Sequence, residues 1–288
     1  MLALRAIKNK RKVTGMTFLK KTTLILLLSL GLFFMEVNQA FARIDITPTR
    51  LIIDSRERSA EITILNLLDE PGTVRISTMN YRQNTDGVYE IIDGPLDPAF
   101  DPETMVRISP RQFTLPPGGR QKVRISLRRS ADLPDGAYRF HIKATRFANP
   151  PENNSETTDG PKVNIGTNIG VVVPVVVNQG DVHTDIKISD VSLVPANQAK
   201  SGKPELHLRL NRGGNGAVIG ALFAVWEPAN GDQSRQIGRL NNVNVFEEVP
   251  YRNATIPLAE IPSDPGRMRL IYMDDMNNKI MDEVYIGQ

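Results

Sequence analysis

Leu115-Pro-Pro-Gly-Gly-Arg-Gln-Lys-Val-Arg-Ile-Ser-Leu127 is the stretch that decides the fold. Pro116 to Gly119 make a turn, and the chain leaves it with Val123, Ile125 and Leu127 alternating against Lys122, Arg124 and Ser126. A period of two puts the apolar residues on one face and the polar ones on the other, as in a strand with one side on a core and one side in water. Outward from this stretch the same alternation recurs almost everywhere and helical spacing rarely does, while 20 Pro and 21 Gly punctuate the pattern. The chain reads as all-β, built from many short strands.

The first set of expected strands runs Ile44–Ile53, Ala60–Asn66, Thr73–Met79, Val106–Ser109 with Gln112–Leu115, Gln121–Leu127, Ala137–Ala144 and Val163–Val177. About seven strands fit an immunoglobulin-like β-sandwich, and Tyr138, two residues before Phe140, matches the placing of a tyrosine corner. Asn149 to Gly160 is polar, apolar-free and Pro-containing, the composition of a loop. After Asn178-Gln-Gly-Asp181 a second set begins: Asp185–Val191, Glu205–Asn211, Ala217–Trp226, Asn242–Phe246, Ala254–Leu258, Arg267–Met273 and Ile280–Ile286. The expected organisation is therefore two immunoglobulin-like sandwich domains, residues 43–178 and 179–288, joined with almost no linker at a fixed angle and leaving a cleft between them.

Residues 1–42 read as a cleaved signal peptide: a basic stretch, an apolar run from Leu24 to Met35, and the small-residue site Ala40-Phe-Ala42. The apolar run is short for a membrane span. Without that segment the chain holds 28 basic against 31 acidic residues, so the basic precursor carries no argument for nucleic acid. No later stretch is apolar enough for stable membrane insertion. The absence of cysteine removes thiol nucleophiles, redox pairs and thiolate metal sites, and leaves packing alone to hold an exported chain.

Motifs for catalysis are missing: there is no G-x-S-x-G, P-loop, H-E-x-x-H or EF-hand loop, and His141, His183 and His207 are far apart in sequence. Asp93, Asp97, Asp101 and Glu103 form an acidic loop whose spacing fits no Ca²⁺ loop and reads as solvated. The expectation is a non-enzymatic protein without cofactor or metal. Two features point instead to binding. From Val163, the residues Val163, Ile165, Thr167, Ile169 and Val171 fall on one face, opposite the nearly bare Asn164, Gly166, Asn168 and Gly170. That row either completes its own core or, at a sheet edge, is offered to a partner lacking a strand. Arg50 shares strand parity with Ile44, Ile46 and Ile52. Either Pro48 kinks the strand and turns it outward, or its guanidinium stands in the cleft able to grip a carboxylate.

Ile46-Thr-Pro-Thr-Arg50-Leu-Ile-Ile53, Ile108-Ser-Pro110, Leu115-Pro-Pro-Gly118, Val123-Arg-Ile125, Ala137-Tyr-Arg139 and the strand from Val163 to about Pro174 occur in an order and spacing that resembles the PapD-like periplasmic pilus chaperones of the chaperone-usher pathway. The resemblance runs from about Ile44 to the C-terminus and is strongest in the first half. It implies a periplasmic chaperone that lends its first domain's last strand to an incomplete pilus subunit and passes the subunit to an outer-membrane usher, without cofactor or ATP. It assigns Val163, Ile165 and Ile169, with Thr167 between them, to the donor row, and Arg50 to the anchor of the subunit's C-terminal carboxylate. The family's lysine on that strand is absent here. Its place falls at Gly170 or Ile169, so either Arg50 acts alone, another basic residue substitutes, or the anchor differs. An apolar edge also lets such chaperones self-associate. The rival class is a secreted two-sandwich adhesion or carbohydrate-binding module, for which 6% aromatic residues and a single Trp226 offer little platform.

Overall fold

Pro48 sets the layout of the first half, because a residue without a backbone N–H cannot carry a ladder onward. In the computed structural model, which describes residues 44–147 and 168–287, the strand expected over Ile44–Ile53 is two strands. The first, β1 (Ile44–Thr47), pairs antiparallel with β3 (Ser59–Asn66). The second, β2 (Leu51–Ile53), crosses to the facing sheet and runs parallel to β10 (Ile169–Gln179).

One sheet of this sandwich has the order β1-β3-β8-β6, with β8 spanning Arg120–Leu127 and β6 Val106–Ser109. The other has the order β2-β10-β9-β4-β5, where β9 is Gly136–Phe147, β4 Gly72–Gln83 and β5 Tyr89–Ile92, and β7 (Gln112–Leu115) pairs with the start of β4. Ile62, Ile64, Val123 and Ile125 from the first sheet meet Val74, Ile76, Phe140, Ile142 and Val175 from the second in one buried cluster. Each of these side chains contributes roughly 1.5–3 kcal/mol by leaving water. Val123, Ile125 and Leu127 are the buried residues of β8, as their alternation predicts. The tyrosine corner is present too: Tyr138 donates its hydroxyl hydrogen to the carbonyl of Pro134 at 2.9 Å.

The second half builds its own core between a sheet of β11 (Thr184–Val194), β12 (Glu205–Gly214) and β15 (Tyr251–Pro257) and a sheet ordered β14-β13-β16-β17. In the latter, β13 is Gly220–Pro228, β14 Arg235–Leu240, β16 Gly266–Asp274 and β17 Ile280–Gly287. Trp226 and Tyr272 lie at its centre, satisfied by Asp264 at 2.9 Å and the carbonyl of Val243 at 2.7 Å. The strand expected at Asn242–Phe246 is absent as an element. Val243 and Val245 do enter the core, but the segment holds only a single bridge, Val218 with Val245. Asn242 has φ of 55°, which breaks the extended backbone that a strand needs. Among the described residues the fold is all-β in two sandwiches apart from one helical turn, α1 (Pro102–Met105).

Residues of both halves meet in a third apolar cluster of Ala137, Val176, Ile219 and Phe246, with Ile52 and Ala217 packed against it. Backbone bonds also cross, from Ala137 to Asn215 at 2.9 Å and from Asn253 to Thr85 at 2.7 Å. Residues 1–42 and Asn149–Gly160, read above as signal peptide and loop, lie outside the described residues. No helix among the described residues is long and apolar enough to cross a membrane.

Candidate functional site

The candidate site is built on β10, whose side chains divide cleanly. Val173, Val175 and Val177 are buried in the first core, whereas Val172 and Pro174 are half-buried and Gly170 exposed on the opposite face. That opposite face looks toward the second sandwich, since Val176, its next member, packs against Ile219 and Phe246. The two edges of β10 are unequal. β9 pairs with it along its whole length, from Ile169 with Arg146 to Gln179 with Gly136, but β2 covers only Val175 to Val177. From Ile169 to Pro174 the other edge has no strand partner among the described residues, so an apolar strand offers an open ladder there. Of the expected donor row, Val163, Ile165 and Thr167 lie outside the described residues, and Ile169 is described only as the first residue of the strand.

Arg50 stands where this open lane stops, immediately before Leu51, which pairs with Val175. The expectation that Arg50 shares a face with Ile44 and Ile46 is corrected. Those two are in the core, the chain resets its phase over Pro48 to Arg50, and in β2 it is Leu51 and Ile53 that turn inward. Ile52 points the other way, to the cluster shared with the second sandwich, and Arg50 goes with it. Its side chain keeps 20% exposure, with Nη2 3.3 Å from Asn242 Oδ1 and Nη1 3.8 Å from Asp275 Oδ2. Its Nε is enclosed with no hydrogen-bond partner among the described residues. Neither contact is a close bidentate pair, so the guanidinium retains donors for an anion.

Further along the same face lies a cavity of about 270 Å³ lined by Tyr81, Tyr89, His141, Val172, Pro174, Asn244 and Phe246. Beside it runs a polar seam that sequence reasoning missed. Arg139 is fully buried, pairs with Glu248, donates to the carbonyl of Tyr81 at 2.9 Å and lies 4.0 Å over the ring of Phe246. Gln83 completes the seam by donating to the carbonyl of Asn244 at 3.1 Å and accepting from the N–H of Phe246 at 3.3 Å. Burial, with Arg139 beside it, pushes His141 down to about 3, so its imidazole is neutral. Burial raises Glu247 to about 7, with the Glu248 charge acting in the same direction. In sequence Arg139 and His141 merely continue the polar phase of β9, and nothing local signals that a second sandwich covers that phase.

The acidic loop uses its oxygens on itself: Asp97 accepts from the N–H of Ala99 at 2.8 Å, and Asp101 caps α1 through the N–H of Glu103 at 2.9 Å. Among the described residues no group of His, Asp and Glu side chains could hold a metal ion.

No protein-family model matches the sequence, and no curated protein matches it. Solved structures do match across most of its length. The E. coli chaperone DraB is 13% identical, with 85% of this chain and 96% of that one covered and a TM-score of 0.43. The Pseudomonas aeruginosa CupB2 chaperone is 11% identical, with 84% and 99% covered and a TM-score of 0.43. The Salmonella enterica SafB chaperone, solved with the SafA pilin, is 14% identical, with 86% and 97% covered and a TM-score of 0.44.

Proposed function

We propose that this protein is a non-enzymatic periplasmic chaperone that binds, folds and caps pilus subunits by donor-strand complementation and delivers them to an outer-membrane usher. The observation that carries the reading is the unequal edge of β10, open from Ile169 to Pro174 and stopped by β2 with Arg50 at the stop. A strand added on the open side shares the lane of β2 and must end where Arg50 stands. A chain terminus arriving there brings a carboxylate to a guanidinium with unspent donors. Each ladder bond adds about 0.5–1.5 kcal/mol, and each side chain of the donor row, Val163, Ile165 and Ile169, adds roughly 1.5–3 kcal/mol once buried in the client. Thr167 stands between them as a smaller contact. Capping an exposed apolar groove stabilises the folded client by mass action and keeps it from aggregating, which requires neither nucleotide nor cofactor.

The test is co-purification from periplasmic extract of the protein tagged at its C-terminus, with mass spectrometry of whatever is bound. A small pilin-like subunit at near one-to-one ratio, lost in Ile165→Asp, is the expected result. A protein recovered alone and monomeric, unchanged by that substitution, would overturn the chaperone reading in favour of an adhesion or carbohydrate-binding module.

A further inference from the structure

Arg252 is a cation on an apolar phase. On β15 it shares strand parity with Ala254 and Ile256, both buried in the second core, and it pairs across the ladder with Leu210. A charge there must leave the core or be answered by polar groups. Arg252 leaves at the start of the strand, yet it meets no carboxylate: among the described residues it forms no ion pair, and its Nε is enclosed without a hydrogen-bond partner. Its Nη1 instead donates to two main-chain carbonyls of the loop after β14, those of Asn244 at 2.9 Å and Asn242 at 3.4 Å.

The same guanidinium rests on the first sandwich. The turn between β4 and β5 is locked by Asn84, whose Oδ1 accepts from the N–H groups of Asp86 and Val88 at 3.0 Å each. The turn docks on β15 through Asn253, which donates its main-chain N–H to the carbonyl of Thr85 at 2.7 Å and its Nδ2–H to Asp86 Oδ1 at 2.9 Å. Gly87 has φ of 77°, and a Cβ there would stand 2.3 Å from Arg252 Nε and 2.5 Å from its Cζ. Glycine at that position admits the left-handed turn and lets the guanidinium lie against bare backbone.

Asn242 joins this cation to Arg50. Its φ of 55° is left-handed, a conformation that a residue with a side chain keeps only where its surroundings hold it. Its carbonyl accepts from Arg252, and its Oδ1 accepts from Arg50 Nη2 at 3.3 Å. We infer that Arg252 is a positioning residue: seated on Gly87, it holds the Asn242 turn, and Asn242 steadies the guanidinium of Arg50 for the terminal carboxylate of a docked strand, a role that rests on the reading of Arg50 given above. Holding one long side chain in place before binding is worth about two- to tenfold in affinity.

The experiment compares binding of a fluorescein-labelled ten-residue peptide of alternating Val and Thr, carrying a free C-terminal carboxylate, with binding of its C-terminal amide. The full-length mature protein should prefer the acid by about tenfold. Arg252→Met keeps an apolar stem and removes the donors, and should cut that preference to about threefold or less while affinity for the amide stays as it was. Arg252→Lys, with a point charge in place of a fork, should fall between the two. Asn242→Gly keeps the left-handed turn without its side chain and should match Arg252→Met, and the two changes together should do no more than either alone, because one residue acts through the other. Full acid preference in Arg252→Met would overturn the role of Arg252 and leave the anchor standing. An equal loss of acid and amide binding, the sign of a packing effect, or a further loss in the double variant would overturn it too. If Arg252→Met does not fold, Arg252→Lys with and without Asn242→Gly decides on the same terms. Equal binding of acid and amide by the unsubstituted protein would overturn Arg50 as the anchor, and the role of Arg252 with it.

Discussion

Arg139 of β9 and Glu248, three residues before β15, form an ion pair that joins the two sandwiches, with the arginine side chain wholly buried and the glutamate 10% exposed. The arginine is held from both halves, by the carbonyl of Tyr81 and by the ring of Phe246. The pair therefore ties the outer face of the first sandwich, where β10 presents Val172 and Pro174, to the loop of the second that faces it.

Breaking one member strands the other in a dry interface. Arg139→Ala or Glu248→Ala should each cost about 3–5 kcal/mol, whereas the paired change Arg139→Met with Glu248→Leu should come within about 1–2 kcal/mol of the parent. Urea unfolding of the three variants checks this. Single variants as stable as the parent would mean that the pair does not secure the contact between the sandwiches.

Two titrating groups beside this seam act in opposite directions. The Glu247 carboxyl, at about 7 when folded against 4.5 unfolded, keeps its proton in the folded protein over a range where the unfolded chain has lost it. Its contribution to stability therefore falls as pH rises from about 4.5 to 7, and Glu247→Gln should be more stable than the parent at pH 8 by on the order of 2–3 kcal/mol, with the advantage vanishing near pH 4. His141, at about 3 against 6.5, does the reverse: the unfolded chain takes up a proton below about pH 6.5 that the folded protein refuses, so stability is lost as pH falls. His141→Gln should flatten that acid limb. Urea midpoints from pH 4 to 8 measure both, and parallel profiles for parent and variants would refute the assignment.

Most strands of the first sandwich were legible because Val123, Ile125 and Leu127, or Ile62 and Ile64, alternate against polar residues that do face water, whereas β5 (Tyr89–Ile92), an edge strand with almost no buried side, was not expected. The same rule failed at β14, where Arg235, Gln236 and Arg239 hide the only strongly apolar burial, at Ile237, and Gly238 sits where a Cβ would come within 2.8 Å of Leu258. It gave a strand at Asn242–Phe246 because Val243 and Val245 are buried at alternate positions without a continuous ladder partner. Pro48 announced the kink, but the phase reset that carries Arg50 to the cleft is a property of two sheets, and no single strand pattern records it. Arg139 was illegible for the same kind of reason, since a polar phase covered by another sandwich looks like one covered by water.

Tyr138 offers a local check on the corner that opens β9. Its hydroxyl donates to the carbonyl of Pro134 and its ring stacks on Phe100 with centroids 5.3 Å apart. Tyr138→Phe removes only the hydrogen bond and should cost about 1 kcal/mol, while Tyr138→Ala also empties packing beside Phe100 and should cost about 3–5 kcal/mol. A lowered urea midpoint at unchanged slope is the expected reading for both. Equal losses in the two variants would show that the ring contributes nothing beyond its hydroxyl.

Arg50→Ala separates binding from folding. The contacts it removes, to Asn242 at 3.3 Å and Asp275 at 3.8 Å, are long and partly exposed, so the loss of stability should stay under about 1 kcal/mol. A charge-assisted bond to a client carboxylate is worth more, about 1.5–3 kcal/mol, which corresponds to a loss of roughly ten- to hundredfold in affinity. The variant should therefore be exported and folded at parental yield yet retain little client in a pull-down from periplasmic extract. Arg50→Lys should recover only part of the loss, because an ammonium cannot form the two parallel bonds of a guanidinium. Parental client yield from Arg50→Ala would remove the residue from the site, and with it the reason for the open lane of β10 to end where it does.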